Sequence, residues 1–129
     1  MAKKSKWPKL PAYTIPLFQS AHVYLAVTLE EYQQADKCMG GDGKDFPFNS
    51  GLAGSYEDTE TGERVYLIGI FDEQLSTLVH ECAHVCFYVC GDVGVPTNSS
   101  DANETYCYML DRMFSHFAPV IANLAFAGE

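Results

Sequence analysis

The stretch TLVHECAHVCFYVC, residues 77–90, predicts an amphipathic helix with a chemically reactive polar side. A helix advances about 100° per residue, so His80, Glu81 and His84 fall on one side of it. The other side is apolar and is formed by Leu75, Leu78, Val79, Cys82, Cys86, Val89 and Cys90. We expect the apolar side to pack in a core, while the polar side presents two imidazoles and a carboxylate.

Two histidines one turn apart can share a metal ion, but a zinc ion that does chemistry takes three protein ligands. Glu104, twenty residues after His84, is the candidate third ligand. A second helix is predicted around it, and a turn near residues 91–96 lets that helix fold back on the first. Asp92 and Asp101 are alternative third ligands, which are disfavoured because both lie in or beside the connecting turn.

The second helix has a polar stripe of Glu104, Tyr108, Asp111 and Ser115. Its opposite stripe is apolar and contains Tyr106, Met109, Leu110, Met113, Phe114 and Phe117. This pattern predicts that the second helix packs by its apolar stripe and keeps Glu104 available to the two histidines.

The pattern His80-Glu81-x-x-His84, followed by Asn103-Glu104, resembles the gluzincin metallopeptidases, of which thermolysin is a familiar member. The small size is similar to that of the single-domain minigluzincins and of short zincin-like proteins from phage and bacterial genomes. The resemblance covers roughly residues 64–117.

This resemblance implies a zinc ion bound by His80, His84 and Glu104, and peptide-bond hydrolysis by a water that the metal activates. Glu81 would be the general base that accepts the proton of that water and passes it to the leaving amine. Asn103 would orient a ligand histidine.

The chain departs from the thermolysin pattern in two ways. Thermolysin-like enzymes stabilise the oxyanion with a histidine from a separate domain, which this chain lacks; Tyr108 is the candidate substitute donor. The aspartate that usually orients a ligand histidine lies one turn after the glutamate, where this chain has Tyr108. Asp111, a turn further on, is the candidate for the orienting role.

A peptide or protein is the expected substrate. The segment ERVYLIGIF, residues 63–71, precedes the site helix, where zincins place the edge strand that pairs with an extended peptide. The resemblance therefore implies that residues 64–71 are the substrate-binding edge strand.

The remaining pattern predicts an α+β domain, in which a small antiparallel sheet with a β-hairpin packs on helices. The expected elements are a strand at 21–28, a helix at 29–39 capped by Thr28 with Glu31 at N3, and hairpin strands at 52–58 and 63–71 joined at Gly62. The site helix should run from Asp72 or Glu73 to about Cys90, ended by Gly91, Gly94 and Pro96. The second helix should run from about Ala102, after an NSSD cap, to about Phe117, with Pro119 breaking or restarting it.

Length and charge exclude several classes of protein. The chain has 129 residues, which suits one domain, predicted over residues 13–129 after a basic flexible arm over residues 1–12. No apolar run reaches the roughly 18–20 residues of a membrane span, so no membrane partner is expected. Beyond Lys9, four basic residues stand against all seventeen acidic ones, which disfavours nucleic acid as a partner.

The five cysteines indicate a reducing compartment. Cys82, Cys86 and Cys90 follow one helical stripe rather than a disulfide framework, and no signal peptide is recognisable. We therefore expect a cytoplasmic protein, in the host cytoplasm if a phage encodes it. A second metal site at Cys86, Cys90 and Cys107 is disfavoured because no short Cys-x-x-Cys pair occurs.

Plainer interpretations stay open. The two histidines could be an incidental surface pair, and Glu104 could be the N3 carboxylate of a capping box started by Ser100 or Asp101. For the whole chain, the alternative is a non-catalytic zincin-like binding protein with a structural or vestigial metal, and a weaker alternative is a cysteine-based metal or redox sensor. The oligomeric state is not predicted.

Overall fold

The computed structural model describes residues 8–16, 21–43, 50–57, 62–97 and 103–127, with side chains as far as Leu124. These residues form four strands and three helices: β1 (Ala12–Thr14), β2 (Ala21–Ala26), α1 (Leu29–Cys38), β3 (Gly51–Glu57), β4 (Arg64–Ile70), α2 (Leu75–Val93) and α3 (Glu104–Ala127). The fold is α+β, as the sequence predicts.

The four strands form one mixed sheet in the order β1-β2-β4-β3. The β3–β4 hairpin is antiparallel and confirms the prediction, as does the strand at β2. The prediction of a purely antiparallel sheet is wrong, because β2 and β4 pair in parallel. Helix α1 and strand β3 lie between these two strands in sequence and return the chain to the same direction.

The strand predicted as the substrate-binding edge, residues 64–71, lies inside the sheet. β4 pairs with β2 on one side, from Ala21 opposite Arg64 to Ala26 opposite Gly69, and with β3 on the other. Its main-chain groups are therefore occupied on both sides, and within the described residues the sheet ends at β1 and β3.

Helices pack on both faces of the sheet. On one face, α1 contacts a small core of Ala26, Tyr32, Ala35 and Leu67. On the other face, α2 and α3 cover the main core, in which the inward side chains of β2 and β4 alternate along each strand: Val23, Leu25, Tyr66, Ile68 and Ile70. This layering places α2 directly over the β3–β4 side of the sheet.

The predicted cap of α1 is confirmed. The amide of Glu31 donates to Thr28 Oγ1 at 3.1 Å, and Glu31 Oε1 accepts from the amide of Val27 at 3.0 Å. This reciprocal pair satisfies two main-chain donors at the helix start and fixes where α1 begins after β2.

Helix α2 begins and ends about three residues later than predicted. Asp72 lies before the first turn, where its Oδ1 accepts from the amide of Gln74 at 3.1 Å. The helix continues to Val93, and Gly94 then adopts φ +77°, a left-handed conformation that glycine takes without steric cost. Cys82, Cys86 and Cys90 lie fully buried on its core side, as predicted.

Helix α3 begins at Glu104, with Asn103 as its cap. Asn103 Oδ1 accepts from the amide of Tyr106 at 3.4 Å, and its Nδ2 donates to the carbonyl of Pro96 at 3.1 Å. The predicted NSSD cap at residues 98–101 lies outside the described residues. Capping by Asn103 places Glu104 at the first helical position, so a capping-box role at N3 does not apply to it.

The predicted break at Pro119 is wrong, because α3 continues through it to Ala127. Ile121 is fully buried one turn beyond Phe117 and extends the buried stripe of Met109, Met113 and Phe117. This packing outweighs the main-chain hydrogen bond that proline removes from a helix interior.

Strand β1 is not foreseen by the sequence patterns. It pairs with β2, and the amide of Leu25 donates to the carbonyl of Pro11 at 3.0 Å. Leu10, Pro11 and Ala12, which belong to the predicted arm, therefore contact the rest of the fold, whereas residues 1–7 are outside the described part. No helix in the described ranges has the length and apolar character needed to cross a membrane.

Candidate metal centre

The two histidines of the motif converge on the exposed side of α2. His84 Nε2 lies 3.2 Å from His80 Nε2, and the ring centroids are 4.8 Å apart. Two nitrogens bound to one tetrahedral zinc at about 2.0–2.1 Å lie about 3.3 Å apart. The pair therefore fits a single metal ion of that kind without a change of helix geometry.

Glu81 completes a group of three possible ligands. One ligand atom from each of His80, Glu81 and His84 can be chosen so that all lie within 4.8 Å of one another. No other His, Cys, Asp or Glu joins this group among the residues that the structure describes.

Glu81 is buried, with only 7% of its surface exposed, while both histidines are exposed. Among the described hydrogen bonds, none is donated to its carboxylate, and since no buried side-chain oxygen of the described residues lacks a partner, its oxygens reach the surface at the hollow that Glu81 lines. Burial raises the pKa of Glu81, and the neighbouring charges of His80 and His84 partly oppose that shift. A buried carboxylate without a protein donor has its acceptor oxygens available to water or a ligand.

The packing of α2 explains this placement. Its core side is fully buried and consists of Leu78, Cys82, Val85, Cys86, Val89 and Cys90. Packing these residues on the sheet turns His80 and His84 to the outside and leaves Glu81 on the flank that faces β3.

A hollow of about 420 Å³ opens beside Glu81, between the start of β3 and the first turns of α2. It is lined by Ser50, Gly51, Ser76, Thr77, His80 and Glu81. A Cβ at Gly51 would lie 2.8 Å from Thr77 Cγ2 and 3.1 Å from Glu81 Cγ. Only glycine therefore lets β3 approach the motif helix this closely.

The sequence interpretation missed the residues that shape this hollow. Thr77 lies one turn before Glu81, and its hydroxyl donates to Asp72 Oδ2 at 2.6 Å. The i, i+4 spacing of Thr77 and Glu81 is a readable signal. The approach of Ser50 and Gly51 depends instead on the pairing of β3 with β4.

The structure does not bring Glu104 into the group. Glu104 and Tyr108 line a second hollow, of about 490 Å³, together with Tyr13, Ile15, Pro16, Thr105, Met109 and Arg112. Helix α2 runs nine residues past His84, about 14 Å, and α3 starts beside Pro96 at that far end. In the first turn of α3, Tyr106 faces α2: its hydroxyl donates to the carbonyl of Ala83 at 3.2 Å, and its ring packs on Phe87. Glu104 lies two residues earlier, about 200° around the helix, and therefore on another side of α3.

The other predicted site residues have separate surroundings. Asn103 caps α3, Tyr108 is exposed over 59% of its surface, and Asp111 Oδ1 accepts from Ser115 Oγ at 3.4 Å. Asp92, an alternative ligand, accepts from Tyr66 Oη at 2.7 Å and pairs with Arg64 at 3.4 Å. Asp101 lies outside the described residues.

The cysteines form no second centre within the described residues. Cys86 and Cys90 are buried, whereas Cys107 is exposed. Burial raises the pKa of Cys82 and of Cys86 to about 12, so both thiols keep their protons at neutral pH and behave as apolar side chains.

In comparisons with known proteins, no protein-family model, no curated protein and no solved structure matches the chain. The site is thus characterised by its own geometry: a His-Glu-His group that could hold a metal ion, next to a hollow at the end of a strand.

Proposed function

We propose that this protein is a zinc-dependent peptidase with a zincin-like site. The observation that supports this most strongly is the combination at α2: two imidazole nitrogens 3.2 Å apart beside a buried carboxylate with no described hydrogen-bond donor. A merely structural site would not need a carboxylate held beside the ligands with its oxygens unengaged.

Zinc bound by His80 and His84 would supply Lewis acidity and an ionisable water. Glu81 accepts a proton from the attacking water and returns it to the leaving amine. Burial raises the pKa of Glu81, which is the direction that makes its carboxyl a better acceptor of the water's proton.

The free edge of β3 is the proposed binding surface for an extended peptide. In the described residues β3 pairs only with β4, and its first residue, Gly51, lies at the hollow beside Glu81. A peptide adding to this edge would place its main chain next to the motif helix. The predicted edge-strand role thus passes from residues 64–71 to β3.

The resemblance implies Glu104 as the third ligand, Tyr108 as the oxyanion donor, and Asn103 and Asp111 as orienting residues. We retain Glu104 in the proposal because a catalytic zinc takes three protein ligands. Because Glu104 lines the other hollow and lies outside the His-Glu-His group, its carboxylate would have to come closer to the histidines when metal binds.

The Glu81→Gln variant tests the proposed activity. Glutamine keeps the size of the side chain but cannot accept the proton, so we expect unchanged zinc content and peptide turnover lowered by about 10²–10⁴-fold. Zinc content and hydrolysis of a mixed peptide library are measured on the same samples. Turnover that survives in Glu81→Gln would exclude the general-base role.

A non-catalytic binding protein is the second candidate. Glu104 lies outside the His-Glu-His group, which leaves the metal with too few described ligands for an efficient enzyme. In that case the wild type shows no hydrolysis, while a partner still adds to the edge of β3.

A further inference from the structure

We infer that the cleft between β3 and α2 selects cationic peptides, with Asp72 and Glu73 as the residues that determine this specificity. This inference rests on the proposed peptide-binding role of the cleft. It concerns the charge of the ligand, which can be measured by binding whether or not the ligand is cleaved.

The segment that contains the site, residues 65–111, has no lysine or arginine. From Val65 to Asp111 there are seven acidic residues. This segment includes β4 after Arg64, all of α2 and the first turns of α3. A cleft bordered by charges of one sign concentrates ligands of the opposite sign, because low-dielectric walls focus the field.

One of these carboxylates contacts a residue that lines the hollow. Asp72 Oδ2 accepts the hydroxyl of Thr77, which lines the hollow, at 2.6 Å. Glu73 is the next residue and is exposed at φ +56°, where the chain turns into α2. Glu81 itself lines the hollow and has no described hydrogen-bond donor.

Neither Asp72 nor Glu73 takes part in a described ion pair. The described ion pairs both belong to Arg64, which contacts Glu57 and Asp92 at 3.4 Å. Both of those carboxylates lie away from the hollow, at the end of β3 and near the end of α2. Asp72 and Glu73 therefore remain available to a basic side chain of a ligand.

A metal ion held by His80 and His84 would limit where that basic side chain can lie. A divalent cation at His80 and His84 repels a lysine placed beside it, so the ion must be included in the charge balance. Asp72 and Glu73 precede α2, whereas the histidines lie in its second and third turns. The lysine or arginine of the bound peptide is therefore expected beside Asp72, at the start of α2, and not beside the two histidines.

Binding of matched peptides tests this inference. Three fluorescent peptides of equal length and identical centre carry Lys, Gln or Glu at the flanking positions. Anisotropy is measured with Glu81→Gln protein, with and without added zinc, so that cleavage cannot deplete the probe. We expect the Lys peptide to bind at least about tenfold more tightly than the Glu peptide at about 0.05 M salt. At about 0.5 M salt, where exposed charges are screened, that ratio should shrink severalfold.

Single substitutions distinguish the effect of charges at the cleft from the effect of the protein's net charge. Asp72→Asn keeps an acceptor for Gln74 and Thr77, and Glu73→Gln keeps the side-chain length; each should lower the Lys-to-Glu ratio severalfold. Glu30→Gln, on the helix that covers the opposite face of the sheet, removes the same charge and should leave the ratio unchanged.

Two results would overturn the inference: equal affinities for the Lys and Glu peptides at low salt, or an equal loss of preference in Glu30→Gln. Selective binding of the Lys peptide without any hydrolysis by the wild type would instead reject the peptidase and keep the cationic ligand. Hydrolysis by the wild type together with equal affinities for the Lys and Glu peptides would keep the peptidase and reject the preference for cationic peptides.

Discussion

The environment of single side chains distinguishes the members of the candidate centre. His80 and His84 are both exposed, and their Nε2 atoms lie 3.2 Å apart, whereas Glu81, between them in sequence, is buried. One helical step of about 100° produces this difference, because it moves the carboxylate from the solvent side to the flank beside β3. Ligand and base roles therefore follow from position on the helix.

Glu104→Ala tests the third ligand. The proposed function predicts a zinc affinity at least about tenfold weaker than in the wild type, since loss of a ligand should cost no less than loss of an orienting partner. The affinity is measured by competition with a chelator of known strength. Asp92→Asn is the control, because Asp92 is held by Tyr66 and Arg64. An unchanged affinity in Glu104→Ala would remove Glu104 from the metal centre.

Substitutions at Asn103 distinguish a cap from an orienting residue. Asn103 caps α3 at φ +51°, so Asn103→Ala should lower the free energy of unfolding by about 1–3 kcal/mol, through the lost cap and the strained backbone. Asn103→Gly loses the cap without the strain and should be milder. Thermal and denaturant unfolding of the zinc-free protein measure both. A change in zinc affinity with unchanged stability would contradict the capping role.

At the scale of elements, the contact between β3 and α2 sets the shape of the hollow. Gly51→Ala would place a methyl group 2.8 Å from Thr77 Cγ2 and 2.9 Å from the carbonyl of Gly69. We expect a loss of about 1–3 kcal/mol in the free energy of unfolding, because the backbone contact cannot yield. Adding Thr77→Ser removes one of the two contacts and should recover part of the loss. Wild-type stability in Gly51→Ala would show that β3 lies farther from α2.

Local patterns predicted most elements, while non-local contacts account for the errors. The cap at Thr28, the β3–β4 hairpin and the buried cysteine stripe each depend on residues within a few positions, so the sequence shows them. β1 has three residues and depends on pairing with β2, and the parallel β2–β4 ladder depends on the crossover through α1.

The same difference between local patterns and non-local contacts explains which site residues could be predicted. His80, Glu81 and His84 share one helix, so helical geometry alone groups them. The position of Glu104 depends on where α2 ends and α3 begins, and both points fall later than the sequence patterns predict. A spacing of twenty residues therefore does not fix which side of α3 meets α2, and Tyr106 rather than Glu104 makes the contact.

For the whole molecule, buried protonated groups limit stability at alkaline pH. Burial raises the pKa of Cys86 from 9.0 to about 12, so the native state holds this proton more tightly than the unfolded chain. The resulting stability is complete below about pH 9 and is lost as pH rises towards 12. Denaturant unfolding between these limits should show the decline, and Cys86→Ala should flatten it while lowering stability at neutral pH. An identical pH slope in Cys86→Ala would contradict this origin.

The metal content of the purified protein is the most direct test of the proposed metal centre. The protein is prepared without a histidine tag, saturated with zinc, freed of excess metal and analysed beside His84→Ala. We predict about one zinc per chain in the wild type and a content near zero in the variant, because one imidazole and a carboxylate cannot hold the ion against washing. Equal zinc in both proteins, or none in either, would contradict a metal centre at the paired histidines of α2.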